Sequence, residues 1–331
     1  MKSRRIVVVT GASAGIGRAI ARRFGRDGWR VALLARGVDG LEGARHEVEA
    51  LGGEAMVIPC DVADENAVDA AANRVEREWG PIDVWVNDAM VTAYCEFIDI
   101  APADFRRMTE VTYLGSAWGI RAALSRMLPR NRGTIVQVGS ALAYRSIPLQ
   151  SAYCGAKSAL RGLIDSVRSE LLHRKSRVRI TMVQLSAFNT PQFDWGKTCG
   201  THQPEPVPPI FQPEVAAEAI HYAALHPRRE LWVGWPAVKA IVANKFVPGI
   251  LDRILAQVGY TRQHTDAPLP PGRRDNLYAP VPGDHGAHGR FDARARERSV
   301  QLDLSMHRYA IAAAIGIAAL AGGLWWRRRL R

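Results

Sequence analysis

The sequence predicts an α/β fold, with helices covering both faces of a doubly wound parallel sheet. Three observations carry that expectation. Apolar β-branched runs alternate with amphipathic stretches through the first 235 residues, the order that parallel strands joined by crossover helices require. The first run, Ile6-Val-Val-Val9, leads directly into the glycine-rich Thr10-Gly-Ala-Ser-Ala-Gly-Ile-Gly17. Within a later amphipathic stretch Tyr153 and Lys157 stand four apart, a spacing that puts both on one helix face.

The candidate strands are residues 6–10, 31–35, 55–59, 82–86, 134–139, 178–185 and 231–234. They are short apolar runs rich in Val and Ile, as buried strands are. Between them, residues 64–79, 103–128 and 151–174 space their apolar side chains as helix faces do. After residue 185 the alternation stops. Residues 186–213 hold Phe188, Asn189-Thr190-Pro191, Phe193 and Trp195, then the proline-rich PEPVPPIFQP. A segment of this kind is either a functional lid or disordered. Helical order resumes over 213–226. Residues 236–258 are unusually apolar for a surface helix and break at Pro248-Gly249. Residues 259–306 are rich in Pro, Gly, Asp and Arg and follow neither period, so an extended linker is expected. The predicted organisation is a single catalytic domain over 1–258, a linker over 259–306 and an apolar helix with an arginine-rich end over 307–331.

With 331 residues and 47% hydrophobic composition the chain can hold one large α/β domain with additions. The net charge of +12 does not mark a nucleic-acid binder, because no DNA-binding motif is present and the basic residues are dispersed. Arg327, Arg328, Arg329 and Arg331 supply four of the twelve charges, and a basic membrane-facing surface accounts for them more economically. Residues 309–326 carry no charge for eighteen positions and end in Trp325-Trp326. As a helix they would span about 27 Å against a hydrocarbon core of about 30 Å, and tryptophans beside arginines suit an interfacial anchor. A buried or oligomer-forming helix is the other reading. The start MKSRR runs straight into the first strand, leaving no signal peptide and predicting a cytoplasmic catalytic domain, membrane-associated through its tail. Whether the tail spans, lies on or re-enters the membrane stays open, since the arginines also favour the cytoplasmic side. Cys60, Cys95, Cys154 and Cys199 lack CxxC spacing, which suggests neither a disulfide framework nor a metal site, and a reducing compartment.

The chemistry is concentrated at two places. Gly11, Gly15 and Gly17 let the backbone turn tightly and approach a ligand, and the following helix offers its N-terminal amides to a pyrophosphate. Downstream, Ser140 ends an apolar run and precedes Tyr153-Cys-Gly-Ala-Lys157. A lysine ammonium beside a phenol stabilises the phenolate and lowers its pKa, which suits a tyrosine to exchange protons with an alcohol oxygen.

Together these residues resemble the short-chain dehydrogenase/reductase family over roughly residues 5–235. TGASAGIG matches the TGxxxGxG loop of its Rossmann fold, and Ser140, Tyr153 and Lys157 match its catalytic serine, tyrosine and lysine. Asp61-Val62 matches the pair that contacts adenine, and Val86-Asn87-Asp88-Ala89-Met90 stands where NNAG is usual. The resemblance implies a cofactor site of Gly11, Ser13, Gly15, Ile16, Gly17, Asp61, Val62, Asn87, Ala89 and Thr190, shared with Tyr153 and Lys157, and no metal. It also puts Thr112 in the place of an asparagine whose carbonyl holds a water in a proton relay, and makes the 186–213 segment the substrate lid. Asp88 and Met90 depart from NNAG, and Met90 either lines the pocket or fills the core.

At the end of the second strand the aspartate usual in NAD-choosing relatives is missing and Arg36 follows Ala35. A guanidinium suits a 2′-phosphate, so NADP(H) is expected over NAD(H). The expected function is an NADP(H)-dependent oxidoreductase interconverting an alcohol and a carbonyl, with Tyr153 as general acid/base. Leu142, Ile147, Phe188, Phe193 and Trp195 give an apolar pocket, which suggests a lipophilic substrate; a soluble ketone or sugar derivative is the alternative. A non-catalytic NADP-binding scaffold or sensor, and an epimerase or dehydratase, are the competing functions. The resemblance also implies a homo-dimer or tetramer through residues 103–128 and 151–174.

Overall fold

Seven parallel strands make the central sheet of the computed structural model, which describes residues 4–309 and Ala313. They are β1 (Ile6–Thr10), β2 (Arg30–Ala35), β3 (Glu54–Pro59), β4 (Val84–Asn87), β5 (Thr134–Ser140), β6 (Arg179–Leu185) and β7 (Glu230–Val233). Their order across the sheet is β7-β6-β5-β4-β1-β2-β3. Strand order reverses between β1 and β4, and ligands of such sheets bind at the carboxyl ends of the strands around this point.

Alternation along β1 divides the core in two. Ile6 and Val8 face one layer, with α3 (Glu65–Trp79), α4 (Pro102–Thr109), α5 (Gly115–Met127) and α6 (Ser151–His173). Val7 and Val9 face the other, with α1 (Gly15–Arg26), α2 (Val38–Ala50) and α7 (Pro213–Leu225). All five residues of β1 are buried, because helices cover both faces of a parallel sheet and leave its central strands no solvent side. The single helix expected over 103–128 is interrupted. A π-helical turn, Glu110–Leu114, separates α4 from α5, and within it the Thr112 hydroxyl donates to the Val91 carbonyl at 3.0 Å.

Residues 259–306 are not an extended linker. Leu277, Ala287, Phe291 and Leu302 are buried, and the segment pairs with the body at several points. His264–Pro268 runs antiparallel to His202–Pro204, and Ala295–Arg296 runs parallel to Ile210–Phe211. After the hairpin of α8 (Trp235–Phe246) and α9 (Pro248–Val258), the segment leads to α10 (Val300–Met306) beside β7. There the Gln301 side-chain amide accepts from Gly234 N–H at 2.8 Å and donates to the Trp232 carbonyl at 3.1 Å. It thus pairs with backbone groups that an exposed sheet edge would leave open.

Cys95 and Cys199 form a disulfide, with Cα atoms 5.0 Å apart. This corrects the expectation of four unpaired cysteines and removes that argument for a reducing compartment. Cys60 and Cys154 remain buried thiols, and burial pushes the Cys60 thiol up to about 12, which leaves it inert. Among the described residues no helix is long and apolar enough to cross a membrane. The expected tail helix, 307–331, lies outside the described residues from 310 onward apart from Ala313.

Candidate active site

The carboxyl ends of β1, β4, β5 and β6 open into one cavity of about 620 Å³. Its first wall is the glycine loop. The Thr10 hydroxyl oxygen accepts from the amides of Asp88 at 3.0 Å and Ala89 at 3.1 Å, clamping the end of β1 to the end of β4. Gly11 has φ +74°, and a Cβ there would stand 2.9 Å from the Ala89 backbone, so only glycine fits this crossing. Ser13, Gly15, Ile16 and Ala89 line the cavity. Gly17 does not, because it packs on the Gly11 carbonyl and gives its amide to the Asp88 carboxylate. The Gly15 amide donates to the Gly286 carbonyl at 3.0 Å, whereas Ile16 N–H has no partner among the described residues.

At the β2 end, Arg36, Asp61 and Val62 also line the cavity. Asp61 is ion-paired with Arg107 and accepts from Ala63 N–H at 3.1 Å. Arg36 is not a solvated side chain. Its guanidinium donates to the carbonyls of Asn276, Leu277 and Tyr278, and burial lowers its pKa without removing the charge.

Asn87 and Thr112 sit behind the cavity wall rather than on it. The Asn87 oxygen accepts from Trp85 Nε1 at 2.8 Å and its nitrogen donates to the Ser116 carbonyl at 3.1 Å. The nitrogen end of the amide braces β4 against α5 and the oxygen end bonds within β4, so the side chain is occupied behind the wall. The Thr112 carbonyl accepts from the Ser116 hydroxyl at 3.2 Å, and its own hydroxyl donates to the Val91 carbonyl, which leaves the carbonyl one further lone pair.

Ser140, Tyr153 and Lys157 come together on the cavity floor. Ser140 closes β5, while Tyr153 and Lys157 lie one turn apart at the start of α6. Lys157 Nζ donates to the Val138 carbonyl at 2.8 Å and stands 5.6 Å from the centre of the Tyr153 ring. Burial raises the Tyr153 pKa above the usual phenol range, and a hydrogen bond with Ser140 opposes it. The Lys157 ammonium is turned to the Val138 carbonyl, and the net shift of Tyr153 is upward rather than the expected lowering. Burial also lowers the Lys157 pKa, against the attraction of the Asp88 carboxylate. Asp88 is pushed up by the same burial, opposed by Lys157 and the Gly17 amide. Thr190 completes the floor beside Gly15.

Beyond the floor the cavity turns apolar. Leu142, Ile147, Phe188, Phe193 and Trp195 all line it, and so does Met90. Sequence reasoning missed three contributions. Tyr94, which accepts from Gln192 Nε2 at 3.2 Å, faces the chamber from the segment after β4. Leu251, Ile254 and Leu255 of α9 line its mouth, and the apolar character of 236–258 was the available signal. Asn276, Pro280, Val281, Gly283 and His285 close the dinucleotide side, from a segment whose composition gave no signal.

The comparisons agree with this geometry. Residues 5–195 match the short chain dehydrogenase family, and the chain belongs to that family. It is an oxidoreductase enzyme. The Bacillus subtilis oxidoreductase YxnA is 31% identical over 283 residues, 85% of this chain and 80% of its own. A fatty acyl-CoA reductase from Acinetobacter baylyi is 30% identical over 229 residues, 68% of this chain and 75% of that one. Among solved structures, an alcohol dehydrogenase from the archaeon Thermococcus sibiricus complexed with 5-hydroxy-NADP has a TM-score of 0.60 at 29% identity. It covers 70% of this chain and 96% of that one.

Proposed function

We propose that the enzyme is an NADP(H)-dependent reductase of lipophilic carbonyl compounds, with Tyr153 as the proton donor. The observation that carries this reading is one continuous cavity. It joins the glycine loop and Arg36 to the Ser140–Tyr153–Lys157 floor and then to an apolar chamber.

The residues fit a dinucleotide. The Ile16 amide at the start of α1 suits a pyrophosphate oxygen, and Arg36 stands where a 2′-phosphate would lie. Asn276 Oδ1 and Ser186 Oγ are buried without partners on residues that line the same cavity. When bound, the reduced cofactor supplies a hydride to the substrate carbon.

Ser140 orients the carbonyl oxygen, and the Tyr153 hydroxyl gives it a proton as the carbon is reduced, so carbonyl, hydride and proton become the alcohol. The phenol is protonated at neutral pH, with burial raising its pKa further, and that is the form able to donate. The Tyr153 phenolate left behind regains its proton from water before the next turnover, and the nearby Lys157 ammonium favours the anion meanwhile. The chamber of Leu142, Ile147 and Phe193 excludes water from the reacting carbon and selects an apolar chain. Relatives named for fatty acyl-CoA reduction and for 3-oxoacyl-[acyl-carrier-protein] reduction support this substrate class. The uncharged residues 309–326 belong to the same reading, as a means of meeting a lipophilic substrate at a membrane.

The test is NADPH oxidation by the full chain with long-chain aldehydes, sterol ketones and small polar ketones, repeated with NADH. Turnover is expected with NADPH on the lipophilic carbonyls. Turnover confined to small polar ketones would reject the lipophilic class, and equal rates with NADH would reject the cofactor preference.

A further inference from the structure

The segment from Asn276 to Asp292 crosses the dinucleotide groove and is fastened to the elements that form it. At the β2 end, Arg36 donates to the Asn276, Leu277 and Tyr278 carbonyls, and Arg107 adds a bond to Leu277 O at 3.2 Å. Leu277 itself is wholly buried. Over the glycine loop, Gly283 N–H donates to Asp39 at 2.9 Å. Asp284 is held by both terminal nitrogens of Arg18 at 3.0 and 3.2 Å. Gly286 O takes the Gly15 amide at 3.0 Å. At the far end, His285 lies edge-on to Trp195 with ring centroids 4.7 Å apart. Beyond it, Phe291 N–H donates to Asn189 Oδ1 at 3.0 Å.

The Arg18–Asp284 pair stands out among these anchors. Arg18 has a side chain only 2% exposed and pairs with both Glu47 and Asp284. A buried guanidinium left without one of its carboxylates is costly, so this pair is a strong latch between α1 and the crossing segment. The Asp284 carboxylate is itself 43% exposed and can be changed without opening the core. Beneath the latch the cavity stays open, since Asn276, Pro280, Val281, Gly283 and His285 line it opposite the glycine loop.

We propose that residues 276–286 are a third wall of the dinucleotide site, a strap that retains the bound cofactor and opens at Asp284 to release it. The inference rests on the NADP(H) reading above. Arg36 serves both sides of the strap: carbonyls 276–278 fix its position, and its remaining N–H groups are left for the cofactor. Cofactor release then requires the Arg18–Asp284, Asp39–Gly283 and Gly15–Gly286 bonds to part together, which makes it slow.

The experiment uses the full chain and NADPH fluorescence in a stopped-flow chase with excess NADP+. Asp284→Asn is expected to speed NADPH release about tenfold, as loss of a charge-assisted latch should. Asp39→Asn should speed it by less. In parallel, trypsin cleavage at Arg273 and Arg274 should slow when NADP+ is added to the wild type and should be faster in Asp284→Asn. Release within twofold of wild type in both variants, with bound NADPH in all three proteins, would overturn the strap alone. Absence of NADPH binding by the wild type would overturn the cofactor reading and the strap with it.

Discussion

Asp88 and Lys157 both line the cavity; burial raises the Asp88 pKa and lowers that of Lys157, and the charge of each opposes the shift of the other. Asp88 stands where the NNAG pattern has an amide. Removing the carboxylate leaves Lys157 with desolvation unopposed, so its pKa falls further. Asp88→Asn should therefore shift the alkaline limb of the kcat/KM profile to lower pH. An unshifted limb would mean that Asp88 does not act on Lys157.

Arg36 governs cofactor choice in this account. Arg36→Ser removes the charge facing a 2′-phosphate, and a charge-assisted bond is worth about 1.5–3 kcal/mol. NADPH affinity should fall about tenfold to a hundredfold, with NADH affinity little changed. Isothermal titration of both cofactors measures this, and equal losses for the two would assign Arg36 to anchoring the strap alone.

The disulfide ties the segment after β4 to the substrate loop. Cys199→Ser opens a loop whose ends lie 104 residues apart in sequence, and the loss should be about 2–4 kcal/mol. Urea unfolding with and without dithiothreitol checks it. Reductant should destabilise the wild type and leave the variant unchanged. If reductant leaves both unchanged, the crosslink carries no stability.

Just past the strap, His288 fastens the chain to Glu214 of α7. Burial works against its charge, but its contacts with Glu214 and Asp292 outweigh this and raise the pKa. A raised histidine gives stability that is full below its unfolded pKa and is lost as pH rises through the folded one. All three groups are partly exposed, so screening holds the gain to below about 1 kcal/mol. The difference in Tm between wild type and His288→Gln should thus be present at pH 5.5 and absent by pH 9. A difference that grows with pH would contradict the pairing.

The sheet was legible because burial on both faces writes β-branched runs such as Ile6-Val-Val-Val9 directly into the sequence. The catalytic floor was legible for a related reason, since Tyr153 and Lys157 are local on one helix. The strap was not. Its apolar plug Leu277, like Ala287, Phe291 and Leu302 of the chain that follows, fits no period, and it is held by carbonyls and single ion pairs such as Arg18–Asp284. Pro, Gly and Asp serve such a path as readily as they serve a linker. The bonding of Asn87 and Thr112 was not legible for another reason: a motif gives their position but not that Trp85, Ser116 and Val91 take their polar groups. The depth that raises the Tyr153 pKa likewise has no counterpart in the four-residue spacing.

The central claim is that Tyr153 gives its proton to the substrate oxygen. Its most direct test is Tyr153→Phe, with NADPH binding and single-turnover reduction measured on the same preparation. The ring is kept, so NADPH affinity should stay within about threefold, while the rate of reduction falls by about 10²–10⁴-fold. A variant that binds NADPH and reduces the carbonyl at a rate near the wild type would contradict the account.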